Sequence, residues 1–132
     1  MLTYAAQGSS FLVPRAYAIM HRMHHAFSDT EKDPHSPVFF KDVFSMMWHT
    51  AKIFDGLIHN TLNISKKFLG NYPSWPWLDR FGNSWASRLL WGAGYVIFYV
   101  FFATEWWMYL LLPLHFLMGP IHGAIVNWCG HK

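Results

Sequence analysis

Arg88-Leu-Leu-Trp-Gly-Ala-Gly-Tyr-Val-Ile-Phe-Tyr-Val-Phe-Phe-Ala103 carries no charge after its first residue, crosses Thr104-Glu105, and resumes as Trp106-Trp-Met-Tyr-Leu-Leu-Leu-Pro-Leu-His-Phe-Leu-Met118. A bilayer core of ~30 Å takes ~20 helical residues. Residues 84–103 and 106–126 are therefore each long enough to cross once, and the short polar break between them predicts a tight transmembrane hairpin. Trp91, Trp106 and Trp107 stand where interface aromatics are expected, with Arg80 and Arg88 before the first span and Lys132 after the second. By the positive-inside tendency both open ends of the hairpin face the cytoplasm. Pro113 is tolerated in such a helix. His115 and His122, seven apart, are expected on one face, making interhelical hydrogen bonds.

The composition agrees with a lipid-facing chain. Of 132 residues, 53% are hydrophobic, 20% aromatic and 13% charged, against a usual charged share of about a quarter. A formal charge of +3 with no Lys/Arg run excludes a nucleic-acid surface. Cys129 is the single cysteine, which removes an intrachain disulfide, a Cys-x-x-Cys zinc site and an iron–sulfur cluster. The first ten residues lack the basic and long apolar regions of a signal peptide, so insertion is expected to rely on the internal spans.

Upstream of the hairpin, Phe39, Phe40, Val43, Phe44, Met47, Trp48, Ala51, Ile53, Phe54, Leu57 and Ile58 recur at helical spacing between Lys41, Asp42, His49, Lys52 and Asp55. This predicts an amphipathic helix lying on the membrane surface. Tyr72-Pro-Ser-Trp-Pro-Trp-Leu-Asp79 then breaks the helix at its prolines and redirects the chain. Arg15, Arg22, Lys66 and Lys67 are candidates for contact with anionic headgroups.

His21-Arg-Met-His-His25 and the following Ser28-Asp-Thr-Glu-Lys-Asp-Pro-His-Ser36 place four of the nine histidines within fifteen residues. Imidazole is the commonest side-chain metal ligand. Positions i and i+4 share a helix face, while the next residue is rotated by ~100°. His21 and His25 can thus serve one metal and His24 reach towards another. Two crossings return the chain to the side it left, so Asn127 and His131, again four apart, can meet the box, with His131 the natural partner of His24. Such an N-rich site suits Fe, Cu, Ni or Zn, and on spacing alone the reading stops at more than one metal. His35 is expected to bond backbone in the Asp33-Pro34 turn or to shape a substrate channel rather than to ligate a metal directly.

The box, its Ser28–Ser36 continuation and Gly119-Pro-Ile-His-Gly-Ala-Ile-Val-Asn-Trp-Cys-Gly-His-Lys132 resemble the membrane fatty acid (acyl-CoA) desaturases of the stearoyl-CoA desaturase type, in a bacterial flavour. The likeness extends over most of the chain, including Gln7-Gly-Ser-Ser and Trp75-Pro76-Trp77. The resemblance implies an all-α multi-pass membrane protein, with a transmembrane hairpin and with cytoplasmic and interfacial helices carrying the histidine boxes. It also implies a non-haem di-iron centre that uses O2 to place a cis double bond in a fatty acyl chain. His21 and His25 go to one iron and His24 and His131 to the other, with Asn127 contributing through a water. Asp29 and Asp33 are candidates for the hydrogen bonds that fix the imidazole tautomers. The implied partners are a fatty acyl substrate, as acyl-CoA, membrane lipid, and an electron donor of ferredoxin, rubredoxin or b-type cytochrome kind; the implied location is the bacterial inner membrane.

The family's upstream H-x-x-x-x-H and downstream H-x-x-H-H boxes are not in these 132 residues. The chain therefore reads as one partial desaturase domain, an internal fragment with about half the iron ligands. Its parts are 1–37 (histidine box), 38–83 (interfacial), 84–126 (hairpin) and 127–132 (ligand segment). The alternatives are a related di-iron lipid or alkane hydroxylase and an inactive metal-binding membrane fragment.

Overall fold

The structure is a computed structural model that describes residues 2–9, 11–72 and 75–131, the side chains of Thr3 and Gln7 excepted. All regular structure among the described residues is helical: α1 (Leu2–Gln7), α2 (Pro14–Phe27), α3 (Val43–Ile58), α4 (Lys66–Leu69), α5 (Pro76–Gly82), α6 (Trp85–Phe102), α7 (Leu112–Phe116) and α8 (Met118–Gly130). Two 3₁₀ turns, Pro37–Phe39 and Trp106–Leu111, join them. The chain divides into two compact units, one of Met1–Val13 with Trp75–His122, the other of Pro14–Ser74 with Gly123–Lys132. Pro73 and Lys132, expected as a helix breaker and a flanking charge, lie outside the described residues.

In the first unit, Ser84 caps α6 by accepting from Ser87 N at 3.2 Å. α6 then runs 18 residues and is long and apolar enough to cross a membrane. One stripe of it, at four-residue intervals, carries the polar contacts. Tyr4 Oη hydrogen-bonds Ser87 Oγ, Trp91 Nε1 donates to Tyr4 Oη at 3.3 Å, and Ser9 N donates to Tyr95 Oη at 3.1 Å. The approach requires glycine before Ser9: Gly8 has φ +57°, and a Cβ there would stand 2.0 Å from Tyr95 Oη. Elsewhere on α6, Leu89, Leu90, Ile97, Val100, Phe101 and Phe102 are exposed.

The returning limb differs from the expected single helix. Residues 106–116 pack back on α6, with His115 stacked on Tyr95 at 4.2 Å and Tyr109 beside Tyr99 at 6.3 Å. The chain then bends by 71° between Trp106–Phe116 and Met118–Gly130. Pro120 explains the bend, because it has no N–H for the carbonyl four residues earlier and its ring crowds that carbonyl. The freed oxygen is that of Phe116, and Ser9 Oγ donates to it at 2.8 Å. The bend also separates His115 from His122, which no longer share a face; His122 is exposed.

In the second unit, α2 begins at Pro14, whose missing N–H is harmless at a first helical position. It buries Ala16, Ile19, Met20 and His24, the three-and-four spacing of one face. α3 starts at Val43, later than the apolar spacing from Phe39 suggests. Asp42 sets that start, since its carboxylate accepts from Ser45 N at 2.8 Å. α3 buries Met46, Gly56 and Leu57 and leaves Phe44 and Trp48 exposed, as are Val38 and Phe39 before it. Arg22 is committed within the unit rather than free for headgroups: it donates to Gly70 O at 2.8 Å and lies 4.1 Å over the Tyr72 ring.

Candidate metal centre

The last two turns of α2 carry His21, His24 and His25, and their faces follow from helix rotation. His21 and His25 are exposed with their Nε2 atoms 3.0 Å apart. Two nitrogens ligating one cation at ~2.1 Å and at a right angle stand about 3.0 Å apart, so this pair needs little movement to hold one ion. Partial burial, then the neighbouring His25 and His24, lower the His21 pKa, which favours the neutral ring a metal requires.

His24 points inward and is 5% exposed. Its Nδ1 lies 2.9 Å from both oxygens of Asp33, which is 4% exposed. A carboxylate accepts only, so Nδ1 is the donor, and Nε2 is the ring atom left open to a metal. The Asp33 oxygens also accept from Asp29 N at 3.0 Å and from His35 N at 3.1 Å. The Ser28–Ser36 stretch thus folds about one buried carboxylate. Asp29 adopts φ +57°, a conformation Asp tolerates better than most residues. Ser36 Oγ donates to Asp29 Oδ1 at 2.8 Å, and Thr50 Oγ1 of α3 holds Pro34 O at 3.1 Å.

His131 arrives from the end of α8. Its Nδ1 lies 3.2 Å from Asp29 Oδ1 and 3.3 Å from Oδ2, and its ring meets that of His24 edge-on at 4.9 Å. The hydrogen bonds from Ser36 and then from His131 lower the Asp29 pKa and keep it ionised. Two histidine–carboxylate pairs, His24–Asp33 and His131–Asp29, therefore stand side by side next to the His21–His25 pair. Asn127 does not join them in the same way; its Nδ2 donates to Gly123 O of its own helix at 2.8 Å, leaving the amide oxygen as the atom available to a water.

His35 belongs to this cluster more closely than its place in a turn suggested. It is 4% exposed, and its ring lies 4.3 Å from that of His24. Burial, and then the neighbouring His24, push its pKa down to about 4, so the ring is neutral near pH 7. Its Nδ1 is buried and has no hydrogen-bond partner, a state that costs roughly 1–3 kcal/mol in a protein interior. His24, Asp33 and His35 offer ligand atoms within 4.8 Å of one another. The unpartnered Nδ1 of His35 and the adjoining Nε2 atoms of His21 and His25 are the kind of nitrogen donors a first-row metal takes, so the residues fit one.

No protein-family model, curated protein or solved structure matches the chain significantly.

Proposed function

We propose that this segment carries the cytoplasmic-side histidine site of a multi-pass, O2-dependent fatty acyl desaturase of the acyl-CoA type, with two non-haem irons as cofactor. The observation that carries the reading is the pairing of His24 with Asp33 and of His131 with Asp29 at adjoining rings. Carboxylates on Nδ1 fix the tautomer that presents Nε2, the arrangement metal-ligating histidines use. In this reading His21 and His25 hold one iron, His24 and His131 the other, Asn127 contributes through a water, and Asp29 and Asp33 hold the rings in place.

Bound iron supplies the activation of O2 and the removal of two hydrogens from neighbouring unactivated carbons. The overall step consumes the acyl chain, O2, two protons and two electrons from a donor protein, and yields the cis alkene and two waters. The protein's own part is to orient the rings through Asp29 and Asp33 and to keep Asp29 ionised beside them. The second half of the iron shell has to come from the two further histidine boxes, so the activity is proposed for a polypeptide that supplies them. The exposed apolar faces of α6 and α3 support a membrane setting, with α6 crossing and α3 at the interface.

The test is product analysis. A membrane preparation of the segment joined in frame to H-x-x-x-x-H and H-x-x-H-H boxes is expected to convert a saturated acyl-CoA into a cis-monounsaturated product, dependent on O2 and reductant. A hydroxylated product without alkene overturns desaturation in favour of a hydroxylase.

A further inference from the structure

We infer that His35 Nδ1 is a direct metal ligand on the His24 and His131 side of the cluster, a role the desaturase resemblance does not assign to it. The inference rests on the reading that this cluster holds metal. Three observations converge on it. Nδ1 of His35 is buried and unpartnered, its ring is 4.3 Å from His24, and the two rings lie within reach of one cation with Asp33.

Asp33 is the weaker donor of the three. Its oxygens already accept from His24 Nδ1, Asp29 N and His35 N, so the carboxylate is spent on orientation. What it orients includes His35: the bond from His35 N to Asp33 Oδ1, across Pro34, turns the residue back into the unit and aims its ring at His24. A ring placed only to fill space would be expected to find a partner for its buried nitrogen. A ring placed to ligate leaves that nitrogen open, and a divalent first-row ion satisfies it.

The segment joined in frame to the H-x-x-x-x-H and H-x-x-H-H boxes, in detergent, is titrated with Co(II), reading the visible ligand-field band, with His35 kept (wild type) and with His35→Gln and His35→Gly. Loss of the ligand is expected to weaken binding at one site by roughly 100-fold or more, past the 10- to 100-fold that loss of an outer partner costs. The other site, on His21 and His25, keeps its affinity, and added imidazole restores the lost band in His35→Gly. Equal affinity and an unchanged band in both variants overturn the role of His35 while leaving the metal site standing. Failure of wild type to bind Co(II) overturns both. Should the variants not fold, the ¹⁵N shift of His35 Nδ1 in wild type decides the matter: a shift on Zn(II) loading supports ligation, and an unmoved resonance in loaded protein overturns it.

Discussion

His131 Nδ1 lies 3.2 Å from Asp29 Oδ1, although the two residues are 102 positions apart. The contact holds the end of α8 against the turn that leaves α2, and so sets the His131 ring beside His24. Asp29 can do this because its backbone takes a left-handed conformation, turning the carboxylate outward while its N–H remains on Asp33. One short turn thereby presents two carboxylates to two different histidines.

Asp29→Asn tests that arrangement with little cost to the turn, since Asn also tolerates a positive φ. The charge that orients His131 is lost while the backbone stays. Co(II) affinity at the His24/His131 side is expected to fall roughly 10- to 100-fold, with the far-UV circular dichroism unchanged. Unaltered affinity would show that the Asp29 charge is not what orients a ligand there.

Asp33→Ala acts on the fold as well as on the metal. It leaves the N–H groups of His24 Nδ1 and His35 without their acceptor in a buried place, and that of Asp29 without it at a part-exposed one. At roughly 1–3 kcal/mol for each unsatisfied buried group, a loss of about 2 kcal/mol or more is expected by urea unfolding. A loss below about 1 kcal/mol would mean that water replaces the carboxylate and that the turn does not depend on it.

The helix α6 was legible in the sequence because local signals set it. α6 follows from an uninterrupted apolar run and a serine cap, and its expected span of 84–103 differs from Trp85–Phe102 by one residue at each end. The 71° bend was not legible, because two prolines in an apolar stretch are compatible with a straight, a kinked or a broken span. What decides among these is the Ser9 hydroxyl waiting at the Phe116 carbonyl, a contact across 107 positions. The inward His24 and outward His21 and His25 follow from 3.6-residue rotation. The burial of His35 does not, since it depends on a side-chain-to-backbone bond across Pro34 that no periodicity encodes.

Gly94, in the middle of α6, has open space where a Cβ would project. If α6 spans a bilayer, Gly94→Leu should remain in the carbonate-resistant membrane pellet and gain up to ~1 kcal/mol of helix propensity. Gly94→Arg should be partly extracted, since an arginine at a span's centre costs ~3 kcal/mol of insertion. Complete extraction of wild type by carbonate would instead remove α6 from the membrane.

The bend before α8 can be tested by a double-mutant cycle between Ser9 and Pro120. Ser9→Ala removes the donor that satisfies the Phe116 carbonyl and is expected to cost about 1 kcal/mol in thermal or denaturant unfolding. Pro120→Ala restores a backbone N–H four residues after Phe116, so the carbonyl regains a helical partner and the two segments can straighten. In that background the Ser9 substitution should cost close to nothing, a coupling of about 1 kcal/mol. Additive effects would show that the Ser9 hydroxyl acts independently of Pro120, and that the bend has a cause other than the carbonyl Pro120 leaves free.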